Sequence, residues 1–131
     1  PTHPEIESLA TIIIEADVLP RRIESRLIVV FIPTSFRVYH DMVDCRHCDG
    51  MIDDVSGRIE RRLRAAAHLE YLDLTGPLRE AARRGQLVYR PDDTHWTEAG
   101  HEVAAEALSR LLGAGAARRG ADSLRLQLGV P

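Results

Sequence analysis

Hydrophobic residues recur along the first part of the chain with the period of an α-helix. Between Pro4 and Asp17 the apolar side chains are spaced to share one helical face: Ile6, Leu9, Ala10, Ile13 and Ile14. Pro4 suits a first helical turn because its missing N–H has no partner there, and Pro20 is expected to end the helix. The pattern therefore predicts a helix over residues 4–17.

The pattern changes from periodic to continuous at Leu27. Residues 27–32 form an unbroken apolar run rich in β-branched side chains and closed by Pro33. Such a run is typical of a strand that is buried on both faces of a parallel sheet. Residues 69–74 predict a second short strand. Two strands are few, because open sheets usually have about four to six.

Helical patterns separate and follow these strands. Residues 34–50 are predicted as a long loop with a possible helical turn. Asp53 or Asp54 can cap the next helix, on which Val55, Ile59, Leu63 and Ala66 form one stripe. A further helix is predicted over residues 76–84, with Thr75 as its cap and Gly85 as a left-handed stop. Thr97 can cap a last helix, whose buried stripe is Val103, Ala104, Ala107, Leu108, Leu111 and Leu112.

The alternation of strands and helices predicts the fold class. It favours an α/β fold with three α/β/α layers and a parallel sheet, incomplete in this chain because so few strands are evident. We expect residues 1–113 to form a single α/β domain. Residues 114–131 are predicted to be a flexible tail or an added edge strand, because Leu124, Leu126 and Leu128 alternate with polar residues.

Composition narrows the possible functions. The chain has 131 residues, 44% hydrophobic and 28% charged, with a formal net charge of -3. These values are those of one globular domain, and an acidic balance argues against a nucleic-acid partner. No apolar run approaches the roughly 20 residues that span a bilayer.

The two cysteines form a C-x-x-C segment, Cys45 and Cys48. Such a pair can be a redox site, half of a zinc site, or two structural thiols. A zinc site would require a second close pair of ligands with regular spacing, which the sequence lacks. We therefore favour structural thiols or a local disulfide.

The segment with the clearest chemistry is the polar loop before the last helix, where Asp92 and Asp93 precede His95. A carboxylate can accept a hydrogen bond from one imidazole nitrogen, which fixes the tautomer and stabilises the imidazolium. Because histidine titrates near neutrality, such a pair suits general acid–base catalysis. The alternative is a structural loop with an aspartate-rich helix cap.

The residues around this loop resemble the SGNH hydrolases, also called the GDSL esterase/lipase family. The resemblance covers residues 27–112 and rests on these segments: Ile32-Pro33-Thr34, Val38-Tyr39, Leu72-Asp73-Leu74-Thr75, Leu87-Val88-Tyr89, Asp92-Asp93-Thr94-His95-Trp96 and Gly100-His101. It implies a three-layer α/β/α fold of SGNH or flavodoxin-like type and hydrolysis of esters through a serine nucleophile, without a cofactor. It also implies that His95 is the general base.

The resemblance leaves two assignments for the carboxylate that orients His95. In most of the family it lies three residues before the histidine, which corresponds to Asp92. In the related alginate O-acetyltransferase-like SGNH proteins it lies two residues before, which corresponds to Asp93. The sequence fits both, and Asp92 is preferred at this point.

The chain departs from the family at the nucleophile and the oxyanion hole. It contains no Gly-Asp-Ser segment and no asparagine, although the family name lists serine, glycine, asparagine and histidine. The sequence therefore predicts a carboxyl-terminal part of a longer enzyme, with the nucleophilic serine upstream. Ser35 is the one internal candidate, because it follows a strand directly. Ser56 is interpreted as a first-turn helix residue.

Three further residues are candidates for substrate binding. Trp96 adjoins His95, and Tyr39 and Arg37 follow the first strand. The expected substrate is a small acyl ester or an acetylated carbohydrate. Two alternatives remain: a non-catalytic interaction module, which could dimerise through an exposed sheet edge, and a metal site at Asp92, Asp93 and His95, with His101 or the cysteine pair.

Overall fold

The computed structural model describes residues 4–23, 25–43, 54–64 and 69–128, with backbone alone at residues 21 and 115–128. The chain divides into two compact units, residues 1–76 and 77–131. Cys45 and Cys48 lie outside the described residues. Among the residues that are described, no helix is both long and apolar enough to cross a membrane.

A parallel pair of strands organises the first unit. Strand β1 (Ile28–Phe31) pairs with β2 (Glu70–Asp73), with Val29 opposite Tyr71 and Phe31 opposite Asp73. Because side chains alternate across a strand, these four residues share one face of the sheet. Both predicted strands are confirmed, and their parallel pairing agrees with the predicted sheet type.

Two helices cover that face of the sheet. Helix α1 (Pro4–Ala16) and helix α4 (Val55–Arg64) pack against each other and build a small core around Ala10, Ile59 and Leu63. The partly buried residues that complete this core come from both helices and the sheet: Ile6, Ile13, Ile14, Val29, Phe31, Val55, Leu69 and Tyr71. Most of the two predicted stripes therefore pack, but Leu9 of the first is 44% exposed and Ala66 of the second lies outside the described residues.

Two local predictions in the first unit are wrong. Pro20 does not end the helical region, because it lies in a second helix, α2 (Val18–Arg22), close enough to its start to need no backbone donor. Strand β1 is half-buried throughout rather than buried on both faces, and Ile32 beyond it is 60% exposed. The helical turn predicted within residues 34–50 is helix α3 (Ser35–Tyr39), capped by the Thr34 hydroxyl, which accepts from the Arg37 N–H at 3.3 Å.

Helix α5 (Thr75–Arg83) ends as the sequence predicts. Gly85 has a φ of +86°, the left-handed conformation that glycine adopts at least cost. The Gly85 N–H donates to the Ala82 carbonyl and the Gln86 N–H donates to the Ala81 carbonyl. This pair of bonds is a Schellman motif, which satisfies carbonyls at the helix end.

The last helix, α6 (Glu98–Leu128), is longer than the sequence predicts. Thr97 caps its start, since its hydroxyl accepts from the Gly100 N–H at 3.2 Å. The edge strand predicted near residues 123–128 is wrong, because the backbone there is helical; alanine, leucine, arginine and glutamine all favour helix. In this unit Ala104 and Ala107 of the predicted stripe are buried, whereas Leu112 is 47% exposed.

Candidate functional site

The Asp/His loop is the tip of a short hairpin in the second unit. Tyr89 and Trp96 form an antiparallel bridge. The Arg90 N–H donates to the His95 carbonyl at 2.9 Å, and the Thr97 N–H donates to the Val88 carbonyl at 3.1 Å. These bonds bring the two arms of the loop together, and they fix the backbone of His95 directly before the start of α6.

Asp93 is the carboxylate that lies against His95. Its Oδ1 accepts the backbone N–H of His95 at 2.7 Å and lies 3.2 Å from Nδ1 of the imidazole. A bond from an aspartate side chain to the N–H two residues later is an Asx turn, which aspartate forms readily. The His95 side chain is 82% exposed. The preceding Asp92 lies 3.5 Å from Nε of Arg90.

The charge state of Asp93 is set by these neighbours. The backbone N–H of His95 lowers the pKa of the Asp93 carboxyl below its usual value, and the His95 imidazole and the Arg90 guanidinium act in the same direction. Nε of Arg90 lies 3.4 Å from Oδ2 of Asp93. Asp93 is therefore ionised at neutral pH, as a group that stabilises an imidazolium must be.

Aromatic rings support the hairpin at its base. The Trp96 ring meets the Tyr89 ring edge to face, with centroids 6.4 Å apart, and meets the His101 imidazole in the same way at 5.4 Å. Tyr89 is 3% exposed. Gly100 permits this packing, because a Cβ on it would lie 2.2 Å from the Val88 carbonyl oxygen and 3.0 Å from Cβ of Trp96.

The other predicted site residues belong to the first unit. Ser35 is the first residue of α3, and Arg37 and Tyr39 lie on the same short helix rather than in a loop. The Arg37 guanidinium carbon lies 5.8 Å from the centre of the Phe31 ring, a distance at which a cation and an aromatic face attract. These three residues follow the carboxyl end of β1, the edge at which α/β proteins build their sites.

Sequence reasoning missed a buried polar cluster in the first unit. Ser56, which is 6% exposed, donates to Oδ2 of Asp73, and its Oγ lies 3.0 Å from the Tyr71 hydroxyl. Oδ1 of Asp73 accepts the Thr75 N–H at 2.7 Å, at the start of α5. Burial raises the pKa of Tyr71, an effect that the hydrogen bond with Ser56 partly offsets. Ser56 does lie in a first helical turn, but its hydroxyl faces the sheet.

The positions of Asp92, Asp93 and His95 also bear on the alternative that this loop is a metal site. Within the described ranges, no group of three or more histidine, cysteine, aspartate or glutamate side chains is arranged to hold a metal ion. Asp93 and His95 contribute one close oxygen and one close nitrogen. The cysteine pair, the other half of that alternative, lies outside the described residues.

The hairpin brings a carboxylate and an imidazole together, an arrangement that suits general acid–base catalysis. The class of protein follows from the comparison with known families. The family model described as "SGNH hydrolase-like domain, acetyltransferase AlgX" matches residues 5–129. The chain belongs to this family, which confirms the fold class and the resemblance found in the sequence.

Two curated relatives and one solved structure agree with this family assignment. The chain is 35% identical over 85 residues to a probable alginate O-acetylase AlgJ from Pseudomonas putida, covering 65% of this chain and 22% of that protein. It is 32% identical over 104 residues to the AlgJ protein of Pseudomonas syringae pv. tomato, covering 79% and 26%. The solved O-acetyltransferase domain of Pseudomonas putida AlgJ has a TM-score of 0.68 at 27% identity, over 88% of this chain and 42% of that one. The chain thus spans about a quarter of the curated relatives' length.

Proposed function

We propose that the chain carries the acid–base part of a serine-dependent site that transfers acetyl groups to or from carbohydrate hydroxyls. The observation that carries the proposal is the contact of Asp93 Oδ1 with His95 Nδ1 at 3.2 Å. The names of the relatives, alginate O-acetylases, support an acetyl group and a carbohydrate as the reacting partners. An acetylated polysaccharide is accordingly the substrate class that we propose.

The Asp93–His95 pair would act as follows. Asp93 accepts the hydrogen bond from Nδ1–H, which leaves Nε2 as the base. Nε2 takes the serine proton as the serine oxygen attacks the acetyl carbonyl, and it returns that proton to the departing alcohol. An acceptor hydroxyl then loses its proton to Nε2 and attacks the acetyl-serine, and Nε2 returns that proton to the serine oxygen as the bond between serine and acetyl group breaks. Water as acceptor gives hydrolysis, whereas a sugar hydroxyl gives transfer.

The nucleophile is a separate prediction. The mechanism needs a serine hydroxyl that reaches Nε2, either Ser35 or a serine outside these 131 residues, for which the sequence analysis predicts an upstream position. These 131 residues contain no asparagine, so an asparagine donor to the oxyanion would likewise lie in the predicted upstream part. We further propose that Trp96, Tyr39 and Arg37 line the substrate pocket.

A fluorophosphonate probe tests this function on the whole protein in which these residues occur. We expect one serine to be labelled, and peptide mapping identifies it. His95→Ala and Asp93→Asn should each slow labelling by about 10²–10⁴-fold, the usual contribution of a positioned base. The same variants should lower the rate of acetyl-ester cleavage and of acetyl transfer to a sugar acceptor.

Asp92→Asn is the matched control, because it removes a neighbouring carboxylate that contacts Arg90. We expect this variant to label at close to the unmodified rate. A larger decrease in labelling rate in Asp92→Asn than in Asp93→Asn would reverse the assignment of the carboxylate that orients His95. A folded protein with no labelled serine would contradict the proposal and favour the non-catalytic interaction module.

A further inference from the structure

The two oxygens of the Asp93 carboxylate have different partners. Oδ1 receives both contacts from His95, through the backbone N–H and through Nδ1. Oδ2 lies 3.4 Å from Nε of Arg90. The final torsion of an aspartate side chain is broad, so a cation beside Oδ2 restricts the plane of the carboxylate while His95 contacts Oδ1. Arg90 is the described residue in contact with Oδ2.

Arg90 is itself held in place. Its backbone N–H donates to the His95 carbonyl across the hairpin at 2.9 Å. Its Nε also lies 3.5 Å from Oδ1 of Asp92, so one guanidinium bridges two adjacent carboxylates. Both contacts involve Nε of Arg90, so this nitrogen lies between the two carboxylates.

We propose that Arg90 is a positioning residue that orients the Asp93 carboxylate toward His95. Its effect on catalysis rests on the function proposed above, whereas its effect on Asp93 does not. The charged and titratable groups that face this carboxylate are His95, Arg90 and, through Arg90, Asp92. On α6, the His101 imidazole meets the ring of Trp96, the residue that follows His95.

The electrostatic part of this role has a definite sign. A cation beside a carboxylate favours its ionised form, and Arg90 is among the groups that lower the pKa of Asp93, after the dominant hydrogen bond from the His95 backbone. Removing the cation should therefore raise the Asp93 titration midpoint toward its ordinary value. Because the Arg90 side chain is 55% exposed, the effect should weaken with salt.

The test compares Arg90→Gln with Arg90→Lys by NMR. In Arg90→Gln at low ionic strength, the carboxyl-carbon titration of Asp93 should shift upward by about 0.2–0.7 pH units, the range expected of an exposed ion pair. The nitrogen shifts of neutral His95 should show a smaller fraction of the Nδ1–H tautomer. Arg90→Lys should keep most of the titration effect, because it keeps the charge.

Arg110→Gln is the matched control, because Arg110 is an exposed arginine that pairs with a carboxylate, Glu106, at 2.8 Å on α6. It should change neither readout. An unchanged Asp93 midpoint and an unchanged His95 tautomer in Arg90→Gln would overturn the proposal. Neither measurement needs a nucleophile, so a failure of serine labelling would count against the proposed function alone. In a labelled protein, Arg90→Gln should also slow labelling, and Arg90→Lys should restore part of the rate.

Discussion

Asp92 and Asp93 illustrate how a single residue of spacing decides a role. Both fit the family resemblance, and the spacing found in most of the family favours Asp92. In the structure, the Asx turn of Asp93 directs its carboxylate to the second following residue, which is His95, whereas Asp92 faces Arg90. The geometry therefore favours Asp93 as the partner of the imidazole, and the choice of catalytic carboxylate stays a prediction to be tested by the asparagine variants.

Ser56 supports a prediction about stability at the same scale. Ser56→Ala removes the hydroxyl that donates to Asp73 and contacts Tyr71. It should lower the free energy of unfolding by about 1–3 kcal/mol, because buried polar partners are left unsatisfied. It should also raise the Tyr71 pKa further, since the lost hydrogen bond lowers that pKa. Urea denaturation and ultraviolet titration of tyrosine measure the two effects.

The control for Ser56→Ala is Ser109→Ala, an exposed serine within α6, which should change stability by no more than about 0.5 kcal/mol. Equal effects of the two substitutions would contradict a structural role for the buried hydroxyl.

The raised pKa of Tyr71 also makes the free energy of unfolding depend on pH. Because the folded state favours the neutral phenol, Tyr71 adds to the free energy of unfolding below the ordinary tyrosine pKa. This contribution is lost as the pH rises through the pKa of Tyr71 in the folded protein.

At the scale of elements, the hairpin and the start of α6 depend on a glycine. Gly100→Ala places a methyl group against the Val88 carbonyl and Trp96. We expect a loss of about 1–3 kcal/mol in the free energy of unfolding, the usual cost of overpacking. The intensity of Trp96 fluorescence, from the single tryptophan of the chain, should report the displaced ring.

Gly113→Ala is the matched substitution in the same helix. A Cβ at Gly113 meets nothing within 4 Å, so alanine there should stabilise the protein by about 0.5–1 kcal/mol through helix propensity. Thermal unfolding of the two variants should move in opposite directions. A shift in the same direction would show that close approach at Gly100 does not control the hairpin.

At the scale of the whole molecule, the homodimer through a sheet edge is a prediction. The described residues contain two paired strands, and large apolar side chains such as Ile23 and Ile32 are 74% and 60% exposed. Unpaired strand edges and exposed apolar side chains both favour association. Light scattering during size-exclusion chromatography should give twice the chain mass at high concentration, and a single-chain mass at every concentration would contradict the prediction.

The sequence by itself determined the features that depend on neighbouring residues. Apolar periodicity predicted α1 and α4, short apolar segments predicted both strands, and cap and stop residues predicted α5, its end at Gly85 and the start of α6 at Thr97. The loop that bears the Asp/His pair was evident from its spacing. Each of these rests on hydrogen bonds or packing within a few residues, so a single chain segment encodes it.

The tertiary structure decided what depends on residues far apart in the sequence. The register of β1 on β2, the burial of Ser56 against Tyr71 and Asp73, and the half-exposed state of β1 follow from long-range packing. The helical state of residues 123–128 shows that continuation of α6 outweighs a short alternating pattern. Local patterns favour several conformations with similar free energies, and tertiary packing selects among them because burial and hydrogen-bond partners depend on the folded chain.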